Sequence, residues 1–78
     1  IELSIHPNPT THDFNVHVKA PGGKKIQMVV TDQYGQVMTS YEVANGTPVQ
    51  IGSELQRGLY IMKIIQGKRT MMKRLVKE

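Results

Sequence analysis

The chain has 78 residues, of which 38% are hydrophobic, with one Phe, three Tyr and neither Trp nor Cys. This length permits one two-layer domain over residues 1–78 with a core of Ile, Val, Leu and Met, and the lack of Cys excludes a disulfide scaffold or a thiolate metal site. The formal net charge is +4. However, the five basic residues between positions 68 and 77 are not interleaved with stacking aromatics and match no nucleic-acid-binding motif, so we expect no nucleic-acid partner.

Turn-forming residues recur along the chain, and the segments between them alternate apolar with polar side chains, as half-buried strands do. In chain order the predicted strands are Leu3–Ile5, Asp13–Lys19, Lys25–Thr31, Gln36–Val43, Thr47–Ile51, Leu59–Ile65 and Arg69–Val76. Seven short strands without a long helix predict an all-β fold, namely an immunoglobulin-like antiparallel β-sandwich.

The connections between these strands carry their own conformational signals. Pro21-Gly22 suits a type II turn. Asp32 and Gly35 are the first and fourth residues of a predicted type I turn, because Asp accepts backbone N–H bonds and Gly tolerates a positive φ. Asn45-Gly46 predicts a two-residue hairpin loop, and Gly67 lies in the turn before the last strand.

The segment that leads into the sixth strand contains two further signals. Ser53-Glu54-Leu55-Gln56 has a weak capping box and predicts a one-turn helical corner, in which Leu55 plugs the core. Tyr60 follows Gly58 just inside the strand, as in a tyrosine corner, where the phenol hydroxyl bonds to upstream backbone. The strand itself is apolar on both faces, so we expect the isolated domain to form a homodimer through that outer face or a sheet edge.

No arrangement of residues in the sequence indicates catalysis or metal binding. His6 and His12 flank prolines and His17 is expected to face solvent, so the three do not converge as zinc ligands must. No nucleophile-elbow sequence surrounds a serine, and no glycine-rich phosphate-binding motif occurs. No apolar run approaches the ~18–20 residues of a membrane-spanning helix. We therefore predict a protein that is not an enzyme, binds no cofactor and does not insert directly into a membrane.

Four segments resemble, in order and spacing, the landmarks of the C-terminal sorting domains of the type IX secretion system. Ile5–Thr11, which contains Pro7, Asn8 and Pro9, is similar to their Y-P-N-P-T opening. Val30–Val37 is similar to their V-x-D-x-x-G-x-x-V segment, and Leu55–Ile64 to their L-x-x-G-x-Y-x-x-x-I segment. Gly67 with Lys73–Lys77 resembles the closing G…K-K-L-[VI]-K. The resemblance covers residues 3–77, essentially the whole chain.

This resemblance implies a secretion and sorting signal at the C-terminus of a larger protein from Gram-negative Bacteroidota. The implied partners are the type IX translocon, a cell-surface sortase and the N-terminal cargo domain. The implied route runs through the periplasm to the outer membrane and the cell surface. There the sortase removes the domain, often with transfer of the cargo to an anionic lipopolysaccharide anchor.

The candidate recognition residues fall into two segments. The first candidates are in the last strand: Lys73, Arg74, Leu75, Val76 and Lys77. Charge on both faces of this strand is not needed for packing, although basic edge strands also guard against aggregation. We expect the three basic side chains to be exposed, so that reversing their charges leaves the melting transition unchanged. Pro7-Asn8-Pro9 is the second candidate, and its two X-Pro steps also make a stiff corner.

A rival interpretation is an immunoglobulin-like adhesion or carbohydrate-binding module of a surface protein. Such modules usually expose aromatic rings to their sugars. Of the three tyrosines, only Tyr34, in a turn, is expected to be free, whereas Tyr41 and Tyr60 lie within predicted strands.

Overall fold

A computed structural model describes residues 1–78 and confirms the all-β prediction, with seven strands and no helix. The strands are β1 (Glu2–His6), β2 (Phe14–Lys19), β3 (Ile26–Asp32), β4 (Val37–Val43), β5 (Val49–Ile51), β6 (Gly58–Gln66) and β7 (Arg69–Lys77). The chain contains no helix of the length and apolar character needed to cross a membrane.

The strands form two antiparallel sheets, ordered β1-β2-β5 and β4-β3-β6-β7. The chain passes between the sheets after β2, after β4 and after β5, as it does in Greek-key sandwiches. In immunoglobulin constant domains the fourth strand lies in the same sheet as the first two strands. Here β4 pairs with β3 instead, which makes β4 and β7 the two edges of the larger sheet.

The core lies between the sheets because alternate residues of each strand point inward. Thirteen buried hydrophobic residues form one cluster, in which Phe14 is the largest fully buried side chain. Its other members are Val16, Val18, Ala20, Ile26, Met28, Val30, Ile51, Leu55, Tyr60, Met62, Ile64 and Leu75. This is the mainly aliphatic core, with Met28 and Met62, that the composition predicts, and full burial of one such side chain stabilises the fold by about 1.5–3 kcal/mol.

Two of the local predictions are confirmed by hydrogen bonds. The Asp32 carboxylate accepts from the backbone N–H of Tyr34 and of Gln36, both at 2.9 Å, and Gly35 has a φ of 87°. The Tyr60 hydroxyl donates to the Gln56 carbonyl at 2.7 Å, which is the bond of a tyrosine corner.

The hairpin predicted at Asn45-Gly46 is wrong, since β4 and β5 lie in different sheets. The Asn45 carboxamide instead bonds to the backbone of Ala20, accepting from its N–H at 3.0 Å and donating to its carbonyl at 3.1 Å. The Gly46 N–H also donates to the Val18 carbonyl at 2.8 Å. These contacts with the end of β2 carry the chain into the other sheet rather than back along β4.

The helical corner predicted at Ser53–Gln56 is also wrong. The segment is a turn in which the Leu55 N–H donates to the Gly52 carbonyl at 3.1 Å. Gly52 has a φ of 93°, and a Cβ there would lie 2.9 Å from Phe14 Cδ2. The turn therefore packs directly on the core, and Leu55 is buried, as predicted. The chain becomes extended again at Gly58, where β6 begins.

Candidate recognition surface: the proline corner and the last strand

The last strand, β7, is an edge of the four-stranded sheet and pairs only with β6. The pairing runs from Gln66↔Arg69 to Gly58↔Lys77 without a register shift. In an antiparallel ladder the backbone groups of alternate residues point to the neighbouring strand, and the others point away from it. The backbone N–H and C=O groups of Thr70, Met72, Arg74 and Val76 therefore face the open edge.

The Pro7-Asn8-Pro9 segment, which we call the proline corner, reaches this edge from β1. Asn8 Nδ2 donates to the Arg74 carbonyl at 2.8 Å, and Asn8 Oδ1 accepts from the Val76 N–H at 3.0 Å. One carboxamide thus supplies the acceptor and the donor that a neighbouring strand would supply. The two segments that the sequence singles out for recognition are in direct contact.

Thr10 continues the contact beyond the proline corner. Its N–H donates to the Val76 carbonyl at 3.1 Å, and its carbonyl accepts from the Glu78 N–H at 2.7 Å. Thr10 and Lys77 form a parallel bridge, and Thr10 is buried. The first part of the chain therefore covers the C-terminal half of the β7 edge. No feature of the sequence identified this role of Thr10.

The predicted exposure of Lys77 is wrong, because only 6% of the residue is accessible. Its ammonium group donates to the Gly52 carbonyl at 2.6 Å and to the His12 carbonyl. The alternation of β7 turns Lys77 inward, on the same side as Leu75, at the end of the sandwich where two loops present carbonyl oxygens. The ammonium takes the place of the water that these oxygens would otherwise bind.

The remaining basic residues of the predicted site are free. Lys73 and Arg74 are exposed and project to opposite faces of β7. The one ion pair in the chain, at 4.0 Å, joins Lys25 to Glu42 and involves no residue of β7. Leu75 is fully buried in the core and Val76 is half-buried on the outer face. Of the five predicted recognition residues in the last strand, Lys73 and Arg74 are therefore the exposed cations, and they are followed by residues that pack in the fold.

The β6–β7 hairpin is strongly basic along its whole length. Residues 58–77 contain six Lys or Arg and no Asp or Glu. The basic members are Lys63, Lys68, Arg69, Lys73, Arg74 and Lys77. With Lys77 turned inward, the other five are exposed on and beside the open edge, and a surface of one charge sign raises the local concentration of anionic partners.

The other residues with chemical potential do not form a site. No three His, Asp or Glu side chains lie close enough together to hold a metal ion. His6 and His12 are exposed, and His17 Nε2 donates to the Gly46 carbonyl at 2.9 Å. Gln66, which the sequence did not single out, is buried and donates to the carbonyls of Ala20 and Lys24 at 3.1 and 3.3 Å.

Comparison with protein-family models gives a match. A family model described as the secretion system C-terminal sorting domain matches residues 4–78. No curated protein matches the chain. The matched region contains the proline corner, the Asp32 turn, the tyrosine corner and the whole of β7, and the family is not an enzyme family. Because the match spans nearly all of its residues, the chain belongs to the C-terminal sorting domains of the type IX secretion system.

Proposed function

We propose that residues 1–78 are the C-terminal domain of a larger secreted protein and direct this cargo through the type IX translocon to the cell surface. Family membership supports a sorting signal that engages the secretion machinery. We further propose that the cargo crosses the periplasm and that a cell-surface sortase then removes the domain. The domain acts through a folded surface and has no catalytic activity of its own.

The observation that carries this proposal is the contact between the proline corner and β7. Asn8 holds the C-terminal half of the strand edge through two hydrogen bonds, while Lys73 and Arg74 stay exposed beside it. Unpaired surface cations contribute little to stability. They are well suited to complementary recognition, because charge complementarity speeds association and rejects wrong partners.

The rival adhesion or carbohydrate-binding function has less support. Tyr34 is 86% exposed, whereas Tyr60 is buried and Tyr41 is half-buried. The single exposed ring lies at the tip of the β3–β4 turn and offers one stacking face. A flat sugar platform of several aromatics is not formed.

The proposed function is tested by fusing residues 1–78 to a periplasmic reporter in a bacterium with an active type IX system. We expect the reporter at the cell surface in the parent strain and in the periplasm in a translocon mutant. The reporter without the domain is the control. Equal surface display in both strains would contradict the proposal.

The contribution of the exposed cations is tested with Lys73→Glu/Arg74→Glu. Exposed charges rarely stabilise a protein by more than ~1 kcal/mol, so we expect an unchanged melting transition and a lower yield at the surface. Lys19→Glu/Arg57→Glu makes the same change of charge at exposed positions outside the hairpin that form no ion pair, and it should sort normally. If the two double variants reach the surface equally well, the cations of β7 are not part of the recognition surface.

A further inference from the structure

The N-terminal half of the β7 edge is unpaired. Asn8 and Thr10 bond to the backbone of Arg74, Val76 and Glu78. No group in the chain bonds to the outward backbone groups of Thr70 and Met72, and both residues are exposed. The free groups are the N–H and C=O of these two residues and the N–H of Arg74.

This edge lacks most of the features that protect natural sheet edges. Proteins usually shorten an edge strand, interrupt it with a bulge or place Pro in it. β7 has nine residues and no Pro, and its ladder with β6 is regular throughout. The opposite edge of the same sheet, β4, has seven residues and a register shift against β3 at Val30/Thr31. The only protection on the N-terminal half of β7 is its positive charge.

The charge also restricts what can pair with the edge. A second copy of β7 would place Lys73 and Arg74 of one chain against the basic residues of the other, and like charges across a strand pair are destabilising. An extended segment that carries Asp or Glu would instead make favourable cross-strand pairs. Addition of a peptide strand to an exposed sheet edge is a common mode of protein recognition.

We propose that the β7 edge between Thr70 and Arg74 binds an extended acidic segment of a partner protein by strand addition. The inference rests on the proposed function, since the partner is a protein that binds this domain during sorting. The proline corner sets the register, because Asn8 occupies the acceptor at Arg74 and the donor at Val76 and ends the free edge there. The added strand is therefore short and ends at Asn8.

Met72→Pro tests strand addition in the reporter fusion. The N–H of Met72 points away from β6, so proline removes no ladder bond with β6 but blocks the outer edge with its ring. Met72→Thr is the matched control, because it also loses the long side chain but keeps the N–H. We expect at least a tenfold loss of surface display for Met72→Pro, and display within twofold of the parent for Met72→Thr.

A binding measurement on the unmodified chain covers the case in which Met72→Pro does not fold. The probe is the synthetic peptide acetyl-Glu-Val-Glu-Val-Glu-Val-Glu-amide, added to the ¹⁵N-labelled 78-residue chain, with the corresponding Lys-Val peptide as control. We expect slower amide hydrogen exchange at Thr70, Met72 and Arg74 with the acidic peptide, and no change along β4 or with the basic peptide.

The outcomes separate this inference from the proposed function. If Met72→Pro melts like the parent and its cargo reaches the surface at parental yield, strand addition is overturned while the sorting function stands. If the parental fusion is not exported, the proposed sorting function is wrong, and the peptide measurement alone then decides whether the β7 edge binds an acidic strand. Unchanged exchange at Thr70 and Met72, or equal protection by both peptides, would each overturn the inference.

Discussion

At the scale of single residues, Lys77 is a lysine that is buried and stabilises the fold, although lysines usually lie at the surface. Its stem runs inward beside Leu75, and its ammonium group bonds to two loop carbonyls at the end of the sandwich. A buried ammonium is costly unless it is hydrogen-bonded, and here it bonds to the His12 carbonyl and to the Gly52 carbonyl, which also accepts from the Leu55 N–H. The residue therefore connects β7 to the loops that contain His12 and Gly52.

Lys77→Met should lower the free energy of unfolding by about 1–3 kcal/mol, because the His12 and Gly52 carbonyls each lose one hydrogen bond while the apolar stem is kept. Lys77→Glu should cost more, since it places a carboxylate against the same oxygens. Urea denaturation measures both effects. Lys73→Met is the control, because Lys73 is exposed in the same strand and its loss should change stability little. Equal stability of the parent and Lys77→Met would show that the two bonds are not made in solution.

Tyr60→Phe should destabilise the fold by about 1–2 kcal/mol through loss of one hydrogen bond, with the architecture kept. The hydroxyl bonds to the Gln56 carbonyl at 2.7 Å, and the ring is buried. Thermal unfolding followed by circular dichroism measures the effect. Tyr34→Phe removes a hydroxyl from an exposed ring and should leave the transition in place. A Tyr60→Phe melting curve that matches the Tyr34→Phe curve would argue against the tyrosine corner.

At the scale of elements, the proline corner should control the local opening of β7. Asn8→Ala removes both hydrogen bonds to the strand edge, and we expect amide hydrogen exchange at Val76 to become faster while the amides of β2 keep their protection. Asn8→Asp keeps an acceptor for Val76 but loses the donor to Arg74, so it should protect Val76 better than Asn8→Ala. Identical exchange at Val76 in the parent and in both variants would mean that Asn8 does not hold this edge. The expected loss of global stability for Asn8→Ala is about 1 kcal/mol, since these bonds lie at the surface.

The strands were predictable because their signal is local. Alternation of apolar and polar residues places all seven within two residues of their observed ends. The Asp32 turn was predictable for the same reason, since its bonds join residues no more than four positions apart. Asn45 has equally strong turn chemistry, but its carboxamide bonds to Ala20, 25 positions away, and nothing in the local sequence shows that preference.

The same limit applies to the candidate recognition surface. The sequence identified both segments, yet their contact depends on which strand lies at the edge of the larger sheet. Likewise, the alternation of β7 does not show that Lys77 faces inward, because its neighbour Val76 is apolar too. The orientation is decided by the carbonyls of His12 and Gly52, which the fold brings from two distant loops.

At the scale of the whole molecule, the outer face of the four-stranded sheet exposes apolar side chains beside Lys63 and Arg74. Leu59 is 36% exposed and Met72 is 62% exposed, and Ile61 lies between them, half-buried on the same face. Exposed apolar patches mark surfaces that associate with other molecules. The basic β7 edge disfavours self-pairing, so association of two copies is expected through this face.

We predict that sedimentation velocity will show a concentration-dependent dimer of the 78-residue chain. Leu59→Glu/Ile61→Glu should return it to a monomer, because two carboxylates would be buried in the contact. Tyr34→Ser is the control, since it removes an exposed apolar ring from a turn outside this face. A monomer for the parent at the highest attainable concentration would contradict the prediction, as would dimers of equal strength in all three proteins.

The bonds between Asn8 and β7 join residues that are 66 and 68 positions apart. Closing so long a loop costs conformational entropy, which the other contacts of the sandwich must offset first. The surface formed by the proline corner and β7 therefore exists only once the chain has folded. An unfolded or unfinished chain still contains the Pro7-Asn8-Pro9 sequence, but this segment is not bonded to β7. A receptor that must contact both segments at once therefore performs quality control, because it admits finished molecules and rejects nascent or damaged ones.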